Sequence, residues 1–253
     1  GPIGNKATLY LAERENLQIV GAVDADPAKV GQDVGVLAGL APLGVTVKPD
    51  IAQALAGQAA DVVLLTTSSA LTRIADQLKQ VLPHGVHVVS SCEELSYPWQ
   101  TNPALAGEID ELAKKNGVSV LATGVNPGFL MDFLPIAMTG VCKSVRQVTV
   151  ERIQDATFRR IPFQKKIGAG LTQAEFQAKV EQGVLRHVGL TESVQMIASR
   201  LGWRLDSTSD EIAPVVAEKD VPLGDGVIEA GKVLGVRQIG RGIVNGREAI
   251  TLF

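Results

Sequence analysis

The sequence contains few cysteines and few histidines, which excludes two kinds of stabilising site. Its two cysteines, Cys92 and Cys142, are too few for a disulfide framework and are typical of a reducing compartment. Its three histidines, His84, His87 and His187, lack the spacing of zinc ligands. We therefore expect a cytoplasmic protein without a metal site.

The chain also lacks basic clusters and long apolar runs. Its formal net charge is −3, whereas proteins that bind nucleic acid without sequence preference carry a basic surface. It has no run of about 18 apolar residues, so we expect no transmembrane helix, and we find no signal peptide. With 45% hydrophobic and 20% charged residues, the composition is that of a globular protein with a sizeable core.

The first half of the sequence alternates short apolar runs with amphipathic stretches. The predicted strands, which are apolar and rich in β-branched residues, cover 17–23, 61–69, 85–94 and 117–128. The predicted helices, which repeat apolar residues every three or four positions, cover 6–16, 70–82 and 103–117. This alternation predicts a Rossmann-type α/β domain with a doubly wound parallel sheet over residues 1–125.

The second half, residues 126–253, has a different pattern. Residues 144–156 alternate like a half-exposed strand, and helices are predicted at 172–183 and 191–203, the second with Thr191 as its N-cap. The "VNGR" run near the end is a strong signal for a β-hairpin. We therefore predict an α+β domain with a largely antiparallel sheet.

The opening run "GPIG" resembles the end of a dinucleotide-binding glycine loop. Gly1 and Gly4 have the spacing of the second and third glycines of that fingerprint, and Asp24 closes the next predicted strand. Bare backbone at a helix start admits a pyrophosphate, and a carboxylate accepts from ribose hydroxyls. An acid here favours NAD over NADP, although Lys29 is near. The alternative is that Gly-Pro is a scar of tag removal.

The two ends of the sequence are abrupt. There is no initiator Met, the strand that precedes such a glycine loop is absent, and "EAITLF" ends on an apolar strand. We therefore expect a fragment that is truncated at both ends and lacks the first strand of its sheet.

Polar residues lie at the ends of two predicted strands, at the edge of the sheet where ligands bind. Thr66, Thr67 and Ser68 either contact the cofactor or cap the next helix. Glu93 and Glu94 directly follow another strand, where a carboxylate can act as a general base. The alternative is that they are solvated loop charges or acids that stabilise a helix start.

Further candidate contacts of the cofactor or substrate lie in the turn at Asn126 and in the second half of the sequence. Asn126 can orient a nicotinamide carboxamide or a substrate, or simply belong to a turn. Arg152, or the pair Arg159–Arg160, suits a substrate carboxylate. His187 is a candidate substrate contact or a structural histidine. The predicted cofactor contacts are Gly1, Pro2, Ile3, Gly4, Asp24, Thr66, Thr67, Ser68, Ser91, Cys92 and Asn126.

The chain resembles the dihydrodipicolinate-reductase-like oxidoreductases, and within them the 2,4-diaminopentanoate dehydrogenases and native amine dehydrogenases. Six runs in the same order carry the resemblance: "GPIG", "VGAVDADPAKVG", "LLTTSS", "SSCEELSYP", "ATGVNPGF" and "RHVGLTES". The resemblance implies a Rossmann domain, then an α+β domain whose sheet often supports a homodimer. It also implies a glutamate base beside the nicotinamide, which maps to the "CEEL" run with Glu94 preferred to Glu93. The His-His pair of true dihydrodipicolinate reductases is absent.

These observations predict an NAD(P)-dependent oxidoreductase, with NAD slightly preferred, that acts on the CH–NH2 group of a small amine or diamino acid. One alternative is a dehydrogenase or reductase of a small acid that acts on CH–OH, C=N or C=C. Another is a dinucleotide-binding sensor without catalysis. The expected partner is a small molecule, with no nucleic acid and no membrane.

Overall fold

The computed structural model describes residues 1–156, 164, 167–223 and 226–253. It divides into two compact units, Gly1–Thr123 and Gly124–Phe253. Each is described separately below.

The first unit contains five short parallel strands in two sheets. They are β1 (Ala22–Val23), β2 (Val47–Lys48), β3 (Val62–Leu65), β4 (His87–Ser90) and β5 (Val120–Ala122). One sheet pairs β1 with β2, and the other has the order β3-β4-β5. All of these pairs are parallel, as predicted, but each strand is shorter than the apolar run that contains it.

Five helices alternate with these strands. They are α1 (Pro2–Ala12), α2 (Val34–Leu37), α3 (Ile51–Ala54), α4 (Leu71–Val81) and α5 (Pro103–Lys115). The predicted helix over 6–16 in fact begins at Pro2, because proline is well suited to a first helical position. The apolar face of α4, which includes Leu71, Ile74 and Leu78, is fully buried against the β3-β4-β5 sheet and α5. Burial of this amphipathic face is what stabilises the helix.

The second unit combines helices with a mixed sheet. Its helices are α6 (Phe133–Thr139), α7 (Gln173–Glu181) and α8 (Leu190–Arg200). Its strands are β6 (Val148–Val150), β7 (Ser207–Val216), β8 (Val221–Leu223), β9 (Gly226–Ile228), β10 (Val233–Val244) and β11 (Arg247–Leu252). The main sheet has the order β6-β11-β10-β7, antiparallel except between β11 and β6.

The predicted hairpin joins β10 to β11. Asn245 and Gly246 both have positive φ, 50° and 71°, which is the conformation of a type I′ turn. The turn therefore fixes the register in which β10 and β11 pair.

Helix α8 packs closely on β10 at two glycines. A Cβ added at Gly240 would lie 2.8 Å from Leu190 Cγ, and one at Gly242 would lie 2.9 Å from Val194 Cγ1. The helix can approach the sheet only because these positions lack side chains. The prediction of Thr191 as the N-cap is wrong: the N-cap is Gly189, in the left-handed region, and Thr191 lies inside α8.

Among the described residues, every helix is too short or too polar to span a lipid bilayer.

Candidate functional site

The predicted glycine loop, Gly1–Gly4, forms the start of α1. Gly1 is the N-cap, and Pro2 is the first helical residue. In the part of the chain that the structure describes, the N–H groups of Ile3 and Gly4 have no acceptor, as expected at a helix start. These donors, with the positive end of the helix dipole, suit an anionic group such as a pyrophosphate.

Gly4 is the residue at which the loop approaches the β3 edge. A Cβ added there would lie 3.4 Å from Thr66 Oγ1, and Thr66 directly follows β3. A side chain larger than that of alanine would collide with this hydroxyl. The glycine therefore leaves an open cradle that fits the pyrophosphate of a dinucleotide.

Asp24 lies beside this loop, one residue after β1. Its Oδ2 atom is 3.5 Å from the Gly1 nitrogen and 2.9 Å from Lys29 Nζ. Lys29 also contacts Asp26 Oδ2 at 3.2 Å. The hydrogen bond from Lys29 holds the pKa of Asp24 below its ordinary value, so Asp24 is ionised and can accept from a ribose hydroxyl.

The other predicted hydroxyl contacts have structural partners. Thr67 donates to Gln77 Oε1 at 2.7 Å, and Ser68 Oγ accepts from the N–H of Ala70 at 3.2 Å, just before α4. The N–H of Ser91 continues the pairing of β4 with β3. Ser68 therefore holds the turn before α4, whose N-cap Ala70 has no side-chain capping hydrogen bond. Of the predicted hydroxyls, Thr66 is the one that approaches Gly4.

Glu93 and Glu94 lie together in a 3₁₀ turn, Glu93–Leu95, that follows β4. The carboxylate of Glu94 accepts from the N–H of Leu71, the first residue of α4, at 2.8 Å. Its own N–H donates to Ser69 O at 3.2 Å. Glu94 is thus fixed to the start of α4. The carboxylate of Glu93, which is half-buried, has no hydrogen-bond or ionic partner among the described residues.

Cys92 belongs to the core of the first unit. Its side chain is 1% exposed, its thiol donates to Ser69 O at 3.2 Å, and its N–H donates to Ser90 Oγ at 3.1 Å. Burial raises the pKa of the thiol to about 11. A cofactor contact at Cys92 is not retained, because its polar groups are used within the protein.

The second unit holds a cavity of about 220 Å³. Six apolar and six polar residues line it. The polar ones are Asn126, Arg152, Arg186, His187, Arg237 and Gln238. The three residues predicted to bind substrate, Asn126, Arg152 and His187, are therefore brought together. Among the described residues, the lining contains three arginines and no acidic side chain, so the cavity suits an anionic group.

Two polar atoms in this cavity are buried without a hydrogen-bond partner among the described residues. They are Asn126 Oδ1 and Arg152 Nε. The backbone N–H of Arg152 donates to Phe253 O at 2.8 Å, and its Nη2 donates to Gln154 Oε1 at 3.1 Å. Buried polar atoms are normally satisfied, and a ligand with both donor and acceptor groups would satisfy these two.

The turn that carries Asn126 is held by a residue that sequence reasoning missed. Asp132, which is fully buried, accepts from the N–H of Gly128 and from Ser193 Oγ, each at 2.8 Å. Asp132 also caps α6 through the N–H of Phe133. Its position, six residues after Asn126 at the start of a helix, is a cap signal that could have indicated this role.

Two more polar residues near the cavity were missed. Gln238 binds both backbone groups of His187, and Asp210 binds Gln238. The signal for Gln238 is a lone amide in the apolar run of β10. The predicted pair Arg159–Arg160 lies outside the described residues.

Comparisons with known proteins assign the chain to a family. Residues 129–253 match the family described as 2,4-diaminopentanoate dehydrogenase C-terminal domain, and residues 1–93 match the N-terminus of dihydrodipicolinate reductase. The 2,4-diaminopentanoate dehydrogenase of Acetoanaerobium sticklandii is 41% identical over 197 residues, which is 77% of this chain and 56% of that protein. The chain belongs to the 2,4-diaminopentanoate dehydrogenase and amine dehydrogenase family. The resemblance inferred from the sequence is thereby confirmed.

Two other members support this assignment. The amine dehydrogenase of Streptomyces virginiae is 25% identical over 259 residues, covering 100% of this chain and 71% of that protein. The structure of the amine dehydrogenase of Mycobacterium smegmatis superposes with a TM-score of 0.77 at 26% identity, over 99% of this chain and 73% of that one. The predicted fold class, a Rossmann-type unit followed by an α+β unit, is thus confirmed.

Proposed function

We propose that this chain is part of a nicotinamide-dependent oxidoreductase that converts the CH–NH2 group of a small, carboxylate-bearing amine to a carbonyl. The observation that carries the proposal is the half-buried Glu93 carboxylate, which follows β4 and has no partner among the described residues. The same sheet edge holds the glycine loop and Thr66. A cofactor site and an available base therefore belong to one unit.

The first unit fits the dinucleotide. The donors of Ile3 and Gly4 would hold the pyrophosphate, and Asp24 would accept from the adenosine ribose. NAD is favoured over NADP, because two carboxylates, Asp24 and Asp26, both pair with Lys29 and would repel a 2′-phosphate. Asn126 is the proposed contact of the nicotinamide carboxamide or of the substrate.

The cavity of the second unit fits the carboxylate of the substrate. Arg152 can present two N–H groups to a carboxylate, and Arg186 and Arg237 add positive charge. The relative from A. sticklandii is named for 2,4-diaminopentanoate, which carries such a group. The cavity therefore favours an amino acid over a simple alkylamine.

The proposed mechanism uses one carboxylate twice. Glu93 first takes a proton from the substrate ammonium, which frees the nitrogen lone pair. A bound nicotinamide would supply the acceptor for the hydride of the substrate CH–NH2 carbon, which leaves an iminium. Glu93 passes its first proton to solvent and then takes a proton from the water that attacks the iminium carbon. Proton transfer to nitrogen and release of ammonia then leave the ketone.

We assign the base to Glu93 rather than to Glu94. The Glu94 carboxylate already stabilises the start of α4 through Leu71, and this is the structural alternative considered for it. Glu93 makes no such contact within the described residues. Glu94 would then position the 3₁₀ turn that carries Glu93.

Matched glutamine variants test the assignment. Glu93→Gln is expected to lower kcat by about 10²–10⁴, the usual contribution of a general base, with an unchanged melting temperature. Glu94→Gln keeps an acceptor for the N–H of Leu71 and is expected to retain most of the activity. The measurement is NADH formation with amino acids, simple amines and hydroxy acids. Turnover on hydroxy acids only, or equal activity of both variants, would contradict the proposal.

A second candidate is reduction of a C=N bond in a small acid, favoured by the match of residues 1–93 to dihydrodipicolinate reductase. This reaction would need NADH and an imine but no ammonia. Oxidation of NADH by a cyclic imine, without any activity on amines plus NAD, would support it.

We further propose that the protein is a homodimer in the cytoplasm. Light scattering tests the oligomeric state, and cell fractionation tests the location.

A further inference from the structure

The segment that carries His187 has an unusual support. Residues 184–188 lie between α7 and α8 and belong to neither a helix nor a strand. The His187 backbone is held instead by one side chain: the N–H of His187 donates to Gln238 Oε1 at 2.7 Å, and Gln238 Nε2 donates to His187 O at 3.0 Å. The amide of Gln238 thus pairs with this backbone as a neighbouring strand would.

Asp210 fixes the orientation of that amide. Gln238 Nε2 lies 2.8 Å from Asp210 Oδ1 and 2.9 Å from Asp210 Oδ2. Asp210 is on β7, opposite Gly240 in the register with β10. A carboxylate accepts but does not donate when ionised, so it selects the orientation in which Nε2 faces Asp210. Both polar atoms of Gln238 are then used within the protein.

We propose that Gln238 is a positioning residue of the substrate cavity, which sets the place of His187 through its backbone and is itself oriented by Asp210. The inference rests on the proposed function, because it assumes that the cavity lined by His187 and Arg152 receives the substrate. Gln238 also lines the cavity, but both of its polar atoms bond to His187 or Asp210, so the role proposed for it is positioning. It acts through His187.

Only glutamine satisfies this arrangement. Glutamate would place an oxygen against both the carbonyl of His187 and the carboxylate of Asp210, and it has no N–H to donate. Asparagine is shorter by one methylene and cannot bridge the same atoms.

The kinetic test compares Gln238→Glu with Gln177→Glu. Gln177 lies on the exposed side of α7, so the control makes the same chemical change away from the cavity. We expect Gln238→Glu to raise KM for the amino acid substrate about tenfold, the effect of roughly 1.4 kcal/mol, and to leave KM for NAD unchanged. The control should change neither value. A role in folding alone would lower the melting temperature of Gln238→Glu but leave KM for the substrate unchanged, and that result would overturn the proposal.

A second readout does not need turnover. The ring resonances of His187, assigned with His187→Gln, are followed by NMR while propionate is added to the protein. We expect them to shift in the native protein and in Gln177→Glu, and to respond at about tenfold higher propionate in Gln238→Glu. If the protein oxidises no amine but this difference holds, the proposed function fails and the positioning role stands. Identical titrations in all three proteins would overturn the positioning role.

Discussion

Cys92 and Cys142 lie in opposite environments, and their reactivity should differ. Cys92 is buried, and desolvation raises its pKa to about 11, whereas Cys142 is exposed. At pH 8 about one Cys92 in a thousand is a thiolate, and the thiolate is the reactive form. With Ellman's reagent, we expect one fast thiol in the native protein and a second only after unfolding.

The control for this prediction is Cys142→Ser, which should remove the fast thiol and leave the slow one. Equal rates for the two thiols in the folded protein would contradict the burial of Cys92.

Substitution of Gly4 by alanine should raise the stability of the protein and weaken its binding of the cofactor. It lies inside α1, where alanine is favoured over glycine by about 0.5–1 kcal/mol, and an added Cβ fits at 3.4 Å from Thr66 Oγ1. Gly4→Ala is therefore expected to unfold at a slightly higher urea concentration. It should also weaken NAD binding about tenfold, roughly 1.4 kcal/mol, because the methyl group covers the backbone that the pyrophosphate approaches.

Gly107→Ala is the matched control, because Gly107 lies in α5 and a Cβ there meets nothing within 4 Å. It should gain stability with an unchanged Kd for NAD, as calorimetry can measure. Unchanged NAD affinity in Gly4→Ala would argue against the glycine loop as the pyrophosphate site.

Residue type and spacing in the sequence pointed to several of the candidate site residues. Gly4 and Asp24 followed from the spacing of a dinucleotide loop, and Arg152 from the chemistry of carboxylate recognition. The partners of Glu94 and Gln238 could not be predicted, because Leu71 and His187 are 23 and 51 residues away from them along the chain. Only the folded backbone brings such groups together.

At the scale of the elements, alanine substitutions of two threonines test where α7 and α8 begin. Thr172 caps α7 in a full capping box, accepting from the N–H of Glu175 while the Glu175 carboxylate binds back. Thr191 lies inside α8, whose N-cap is Gly189. Thr172→Ala should therefore lower the free energy of unfolding by about 0.5–2 kcal/mol, and Thr191→Ala by clearly less. A urea titration that gives the larger loss for Thr191→Ala would contradict these boundaries.

The helices were easier to predict than the strands. The apolar spacing of α4 and α5 predicts them nearly in full, since their buried faces set the pattern. By contrast, β7 was not predicted, because its "STSDEIAPVV" sequence is largely polar, with many residues exposed. It forms because β10 offers it a long antiparallel partner, which is a property of the sheet rather than of the segment.

At the scale of the whole molecule, each unit has its own core and its own part of the proposed chemistry. The core of the first unit centres on α4 and β4, and the main core of the second on α8 and β11. The proposed cofactor contacts and base lie mostly in the first unit, whereas the cationic cavity lies in the second. The family assignment from both halves of the chain agrees with this division of tasks.

The central claim is oxidative deamination, and the ratio of its two products tests it most directly. The protein is incubated with NAD and 2,4-diaminopentanoate, and NADH and ammonia are measured in the same reaction. The account predicts one ammonia for each NADH, with both products lost together in Glu93→Gln. NADH formed without ammonia, or ammonia released without NADH, would contradict it.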